Sequence, residues 1–356
     1  MTAKIARIID IGTAVPANDI HSAFIGWAVG RLRDPAASSL FRRMAARSGI
    51  THRFSVLPVG ANGGSPVDPG GFYQAVKLPP TSARMALYAE YAPGIAIAAI
   101  NALRRQDDLA RVTHLVVASC TGFVAPGIDQ IIARQLGLNH SVERMLVGFM
   151  GCYAAVAALR SARHIIRSEP HAVVLVVTVE LSTLHLQDDD EIEPLLAMLQ
   201  FGDGAAAALV SANGAGLSIE RPFAINLPDS EDLIRWTIGD QGFAMHLSGE
   251  VPARLREALH REDVRQTLLA DAEVDSWAVH AGGRSILDAV AGGLGLADDA
   301  LAASRGVLSD YGNMSSATLM FIIARHFAYR PQNGVAIAFG PGLACEGFGY
   351  SWIDDA

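Results

Sequence analysis

Cys152, His280 and Asn313 are the residues of this chain whose types and settings could do chemistry. Cys152 follows Gly151 and opens an Ala-rich stretch, Cys152 to Arg167, whose composition favours a helix. A thiol at a helix N-terminus feels the positive end of the macrodipole, which stabilises the thiolate. The glycine before it allows a tight bend and close approach of a substrate. The same thiol also reads as a small buried hydrophobe. His280 ends an apolar run, Ser276 to His280, just before Ala281-Gly282-Gly283; strand ends in α/β sheets are where functional groups gather. Asn313 stands in Tyr311-Gly312-Asn313-Met314-Ser315-Ser316, a setting that also suits a helix N-cap. Together the three form a coherent set. A thiolate attacks an acyl group, an imidazole holds it as an ion pair, and His and Asn side chains donate hydrogen bonds to a developing enolate or oxyanion.

The elements that must position these groups come in two similar series. In the first, Ser82 to about Arg105 has helical periodicity, Thr113 to Ser119 reads as a buried strand and Ile128 to Leu136 as a helix. The Cys152 helix then stops at Pro170, and Ala172 to Val179 (AVVLVVTV) is a strand apolar on both faces. Ala205 to Val210 is a further short strand. In the second series a strand ends at His280, Ser315 to Phe327 is a helix of small residues, and Gly334 to Phe339 is again a buried strand. Gly312-Asn313 lies 161 residues after Gly151-Cys152 (312 − 151), and Ala162-Arg163-His164 returns as Ala324-Arg325-His326. The order of elements predicts an internally duplicated α/β protein joined near residues 212–225. Leu57 to Phe72, dense in Gly and Pro, is expected to be an irregular surface loop.

Composition narrows the function classes. The 356 residues carry 28 Lys+Arg against 36 Asp+Glu, a net charge of −8, which gives no electrostatic reason to bind nucleic acid. Hydrophobic residues make up 51 % and charged residues 18 %, which excludes a disordered chain. The longest plain apolar run is far short of the roughly 20 residues of a membrane span, and no secretory signal pattern opens the chain. Three widely spaced cysteines, Cys120, Cys152 and Cys345, make neither a disulfide framework nor a zinc motif, and fit a cytoplasmic location. The acidic run Asp188 to Glu193 lacks hard-cation loop spacing and reads as a solvated loop, so no metal site is expected.

Five ordered strings carry a family resemblance: Gly148-Phe149-Met150-Gly151-Cys152, Phe201-Gly202-Asp203-Gly204-Ala205-Ala206, His280-Ala281-Gly282-Gly283, Gly312-Asn313-Met314-Ser315-Ser316 and Phe339-Gly340-Pro341-Gly342. The chain resembles the type III polyketide synthases, the chalcone synthase-like family, from about Phe41 to Phe348. Ser119-Cys120-Thr121-Gly122-Phe123 and the Ala at 281, where plant members usually have Pro, look like bacterial members. The resemblance implies a thiolase-like duplicated αβαβα layered fold. Residues 1–215 would carry the nucleophile, and residues 216–356 the His and Asn.

It also implies roles. Cys152 would take the starter acyl group from a CoA thioester, and His280 would keep it as thiolate. His280 and Asn313 would bind the malonyl-CoA thioester carbonyl and stabilise the enolate after decarboxylation. Phe201 would be the gate between CoA tunnel and cavity. Gly340, Pro341 and Gly342 would shape the wall, and Cys120, Ala125, Ser182, His185, Ala197, Trp236, Met245 and Ser315 would line it, Ala125 reaching the cavity of a second subunit. Arg43 and Arg47, four apart on one helix face, would meet the CoA phosphates. The expected protein is a cytoplasmic homodimer without metal or prosthetic group. It would extend acyl-CoA starters with malonyl-CoA and cyclise the product to a pyrone, resorcinol or phloroglucinol ring. The alternatives are a ketosynthase that joins two acyl chains once, taking them from CoA or from an acyl carrier protein, and a non-catalytic acyl-binding protein. Intact Cys152, His280 and Asn313 argue against the last.

Overall fold

In the computed structural model, which describes residues 4–59, 64–74, 77–269 and 273–355, the apolar run after Pro170 is a strand, Val173–Leu181, buried along its whole length. Its side chains alternate between two cores: Val174 and Val176 point to one, Val173, Leu175, Val177 and Val179 to the other. Asp203–Ser211 beside it does the same with Ala206, Ala208 and Val210 against Ala205, Ala207 and Leu209. The small Ala side chains let helices approach closely on both sides.

These strands sit in a seven-stranded sheet of order Trp352–Ile353, Gly216–Ser218, Arg7–Ala14, Asp203–Ser211, Val173–Leu181, His114–Ser119, Glu143–Gly148. The last three run parallel, and Asp203–Ser211 is antiparallel to both neighbours. A second sheet has the order Ser276–Val279, Gly334–Gly340, Ala344–Tyr350, Glu220–Asn226. The helices Ala154–Ser168 and Ser316–His326 share one core with both sheets. Thr81–Asn101 covers the outer face of the first sheet. Val251–His260, Arg284–Leu294 and Ala302–Tyr311 pack with the second. The layers therefore alternate α, β, α, β, α.

Two expected helix boundaries move. The helix after Gly151 begins at Ala154, because Gly151 has φ 79° and its carbonyl accepts from Ala154 N (3.0 Å); Cys152 rides on the resulting turn, just before the helix. The helix expected to reach Arg105 ends at Asn101. There the Asp10 carboxylate takes the N–H groups of Arg104 (2.6 Å) and Arg105 (2.8 Å) out of helical register. Within the Gly/Pro-rich stretch, residues 60–63 lie outside the described residues, while Ser65, Pro66 and Val67 stand at a cavity described below.

Candidate active site

The Cys152 turn is clamped from two sides. A Cβ on Gly151 would stand 2.3 Å from Pro341 Cδ, and one on Gly340 would stand 3.3 Å from Cys152 N. The Gly340-Pro341-Gly342 segment thus lies directly on the Cys152 turn. From below, the Cys120 sulfur accepts from Gly151 N (3.0 Å). Cys120 was expected on the cavity wall; its thiol is instead engaged with the backbone that holds Cys152. Cys152 is buried, and burial pushes its thiol up to about 12, eased by the neighbouring Ser315 hydroxyl and Asn313 carboxamide.

His280 continues the strand ladder through its N–H to Ile337 O (2.8 Å). Its side chain is 1 % exposed, and neither ring nitrogen has a hydrogen-bond partner among the described residues. Burial alone drives the imidazole down to about 3, so it is neutral near pH 7. Asn313 is fixed by its backbone: its N–H donates to Gln200 O (2.8 Å) and its carbonyl accepts from Gly202 N (3.0 Å), which pairs Asn313 with Phe201. Its Oδ1 accepts from Ser315 N (2.8 Å). The helix N-cap is Ser315 rather than Asn313, so the Asn313 oxygen only holds the turn before the helix, and Nδ2, with only a 3.4 Å contact to Gly282 O, keeps a donor for a ligand.

Two buried charges were missed in the sequence. Glu180, inside the apolar strand, accepts from Cys120 N (2.9 Å), Thr121 Oγ1 (2.9 Å) and the Ser316 hydroxyl, and so joins the two halves beneath the thiol. Burial raises its carboxyl to about 7, against those hydrogen bonds. Arg53, 1 % exposed, donates to Phe201 O (2.6 Å), Met198 O (3.2 Å) and His21 Nδ1 (3.0 Å). The signal for Glu180 was a lone acid closing an otherwise apolar run.

A cavity of about 260 Å³ lies on the far side of Phe201, lined among others by Ser182, His185, Ala197, Trp236 and Met245. Trp236 and Met245 are paired across the hairpin Ile234–Gly239/Gly242–Leu247. His185 is stacked on Phe243 (4.1 Å between centroids), and its ring nitrogens are committed to Thr121 O (2.7 Å) and Phe243 N (3.1 Å). Trp236 stands edge-on to Phe201 (6.4 Å). Ser315 and the Gly340-Pro341-Gly342 loop border the thiol rather than this cavity.

The sequence profile described as chalcone and stilbene synthases, N-terminal domain, matches residues 2–214, and that of the C-terminal domain matches residues 218–351. The chain belongs to the chalcone and stilbene synthase family. It is 29 % identical to "Alpha-pyrone synthesis polyketide synthase-like Pks18" of Mycobacterium tuberculosis, over 96 % of this chain and 90 % of that protein. The same figures hold for the protein of that name from Mycobacterium bovis. Among solved structures, PKS-I from the brown alga Ectocarpus siliculosus superposes with a TM-score of 0.88 at 27 % identity, covering 99 % of this chain and 100 % of that one. The C-terminal type III polyketide synthase domain of Steely1, a type I/III hybrid from Dictyostelium, gives 0.87 at 25 % identity, covering 98 % and 99 %. The fold is thiolase-like, and the chain is a type III polyketide synthase, an acyl-transferring condensing enzyme.

The remaining expected residues of this chalcone synthase-like chain lie at its surface. Arg43 is exposed in the last turn of the helix Pro35–Ala46, and Arg47 is its exposed C-cap. Arg284 Nη1 donates to Arg47 O (3.1 Å), adding a third cation that sequence spacing did not reveal. Ala125 is exposed near Phe123, and the exposed Phe123, Met145, Leu146 and Phe149 lie at the free edge of the first sheet. The acidic run is tied back by Arg31 to Asp188 and by Arg33 to Asp190 (3.4 Å). Among the described residues no helix is long and apolar enough to cross a membrane.

Proposed function

We propose that Cys152, His280 and Asn313 are the catalytic residues and that the enzyme iterates, building a polyketide from an acyl-CoA starter and malonyl-CoA. One observation carries this reading: the Cys152 thiol sits beside the Asn313 carboxamide, whose Nδ2 reaches Gly282 O (3.4 Å), and a Cβ on that glycine would stand 3.7 Å from Nε2 of His280, an imidazole with two unpartnered nitrogens among the described residues. A buried polar group without a partner is costly unless a ligand supplies one.

Burial disfavours the thiolate and the imidazolium when each stands alone. Formed side by side by transfer of the thiol proton to His280, they neutralise each other. The thiolate attacks the starter thioester, and CoA leaves as the thiol with the His280 proton. Malonyl-CoA then loses CO2, and the electron pair passes to its thioester oxygen, where neutral His280 and Asn313 Nδ2 donate hydrogen bonds. The enolate carbon attacks the S-acyl carbonyl and expels the Cys152 thiolate, leaving a β-ketoacyl-CoA two carbons longer. Further rounds and ring closure give a pyrone, resorcinol or phloroglucinol-type product. CoA thioesters are the substrates and no cofactor enters.

Phe201 is the gate in this reading, since its ring lines the cavity while its backbone pairs with Asn313. Arg43 and Arg47 take the CoA phosphates. The apolar free edge Glu143–Gly148 supports a homodimer in which Ala125 faces the partner's cavity. We read residues 1–215 and 216–356 as the two thiolase-like halves, and the location as cytoplasmic.

The test is mass spectrometry of products from the purified protein, malonyl-CoA and starters from acetyl-CoA to long-chain acyl-CoA. Pyrones or resorcinols whose mass tracks the starter, absent with Cys152→Ala, are expected. Acylated Cys152 without extended product would instead mean a single condensation or a carrier-protein donor.

A further inference from the structure

At the end of the first sheet away from Cys120, three residues distant in sequence bring their ligand atoms together. His114 begins its strand and is paired in register with Glu143, the first residue of the edge strand. Glu169 is the C-cap of the helix Ala154–Ser168. His114 Nε2, Glu143 and Glu169 place one ligand atom each within 4.8 Å of one another. His114 and Glu143 lie in paired strands, and Glu169, just past the helix, is tied to it through its N–H to Ile165 O (2.7 Å).

The histidine is oriented as a ligand would be. Its side chain is 8 % exposed. Nδ1 lies 2.8 Å from Thr113 Oγ1. That hydroxyl donates to Val173 O (3.2 Å) and receives Val173 N (3.1 Å). When the hydroxyl proton is on Val173 O, the oxygen takes Nδ1–H from the ring and the Nε2 lone pair is bare. An outer hydrogen bond of this kind fixes the tautomer of metal-binding histidines. Among the described residues Nε2 has no hydrogen-bond partner; it points between Glu143 Oε2 at 3.7 Å and Glu169 Oε1 at 3.9 Å.

Those separations suit a shared cation better than a direct contact. Where a histidine and a carboxylate of this chain do bond, at His52 and Asp19, the distance closes to 2.6 Å. Three ligands at about 2.0–2.1 Å around a tetrahedral zinc stand about 3.4 Å apart. One imidazole and two carboxylates give a net charge of −2, and the exposed side leaves a fourth position for water.

We propose that His114, Glu143 and Glu169 form a binding site for a zinc-class divalent cation that fastens the edge strand to its neighbouring strand and to the end of the helix. The site is separate from catalysis: the strand His114–Ser119 stands between it and Cys120, and six residues of strand span roughly 20 Å.

The test is calorimetric titration of the full chain carrying Cys152→Ser, so that the reactive thiol does not compete, with ZnCl2 in a non-chelating buffer. One zinc per chain and a raised melting temperature are expected. Adding His114→Ala is expected to abolish both. Adding Glu169→Gln, an exposed and nearly isosteric change that keeps the fold, is expected to weaken binding by more than about tenfold. Cobalt(II) in place of zinc is expected to show the visible absorption of a four-coordinate site. No saturable zinc binding to the Cys152→Ser chain, or binding unchanged by both His114→Ala and Glu169→Gln, would overturn the proposal.

Discussion

Gly151 and Pro341 leave no space between them: a single methyl on Gly151 would come within 2.3 Å of the proline ring. One residue belongs to the first half of the chain, the other to the second, and Cys152 sits on the turn they define. Gly151→Ala meets both that ring and a backbone held at φ 79°. The backbone alone costs about 1–3 kcal/mol. The expected outcome is a loss of stability of that order in urea unfolding. Acyl transfer to Cys152, read by intact mass, is expected to fall disproportionately.

In the proposed mechanism His280 is the group that lets a buried thiol react. Without it the thiol, pushed up to about 12, holds a thiolate fraction that rises tenfold with each pH unit below that value. In His280→Ala, alkylation of Cys152 by iodoacetamide is expected to be slow and to climb about tenfold per unit between pH 7 and 9. The parent enzyme is expected to react faster with a shallower slope.

Glu180 gives a signature in stability. Its carboxyl is raised to about 7 from an ordinary value of 4.5. Between those two values the folded chain holds a proton that the unfolded chain has released, so this group's contribution declines as pH rises through the window. Glu180→Gln does not titrate. Its stability relative to the parent is expected to improve from pH 4.5 to 7.5, by up to about 3 kcal/mol. Urea unfolding at several pH values measures the trend.

Trp236 narrows the cavity, edge-on to Phe201 at 6.4 Å, His185 at 6.0 Å and Phe243 at 6.2 Å. Trp236→Ala is expected to cost about 2 kcal/mol, roughly half the loss of a fully buried tryptophan. It is also expected to admit bulkier starters. Relative kcat/KM across an acyl-CoA series reads the change.

Arg43 and Arg47 are exposed, so each is worth little alone. Reversing both, Arg43→Glu with Arg47→Glu, is expected to raise KM for CoA thioesters about tenfold at low salt with kcat nearly intact. That difference is expected to shrink in high salt.

The parts legible in the sequence were those with local signatures. Val173–Leu181 announced itself by continuous apolar residues, and Cys152 by a glycine and a run of alanines. The expected cavity residues Ser182, His185, Ala197, Trp236 and Met245 do meet around one space with Phe201, but on grounds of resemblance, since no spacing links them. What stayed hidden depends on distant partners. The Asp10 carboxylate that stops a helix at Asn101, the sulfur of Cys120 under Gly151 and Arg53 on the Phe201 carbonyl are contacts between segments that periodicity treats separately. His114, Glu143 and Glu169 were invisible for the same reason.

The pairing of Phe201 with Asn313 has an evolutionary consequence. Two backbone hydrogen bonds, Asn313 N to Gln200 O and Gly202 N to Asn313 O, make the two residues one mechanical unit. A lineage that shifts the backbone at Phe201 to admit new substrates also displaces the amide that the proposed mechanism assigns to enolate binding. Selectivity and turnover are therefore pleiotropic traits at this position, and compensating changes are expected at Arg53, which holds the carbonyl of Phe201 itself.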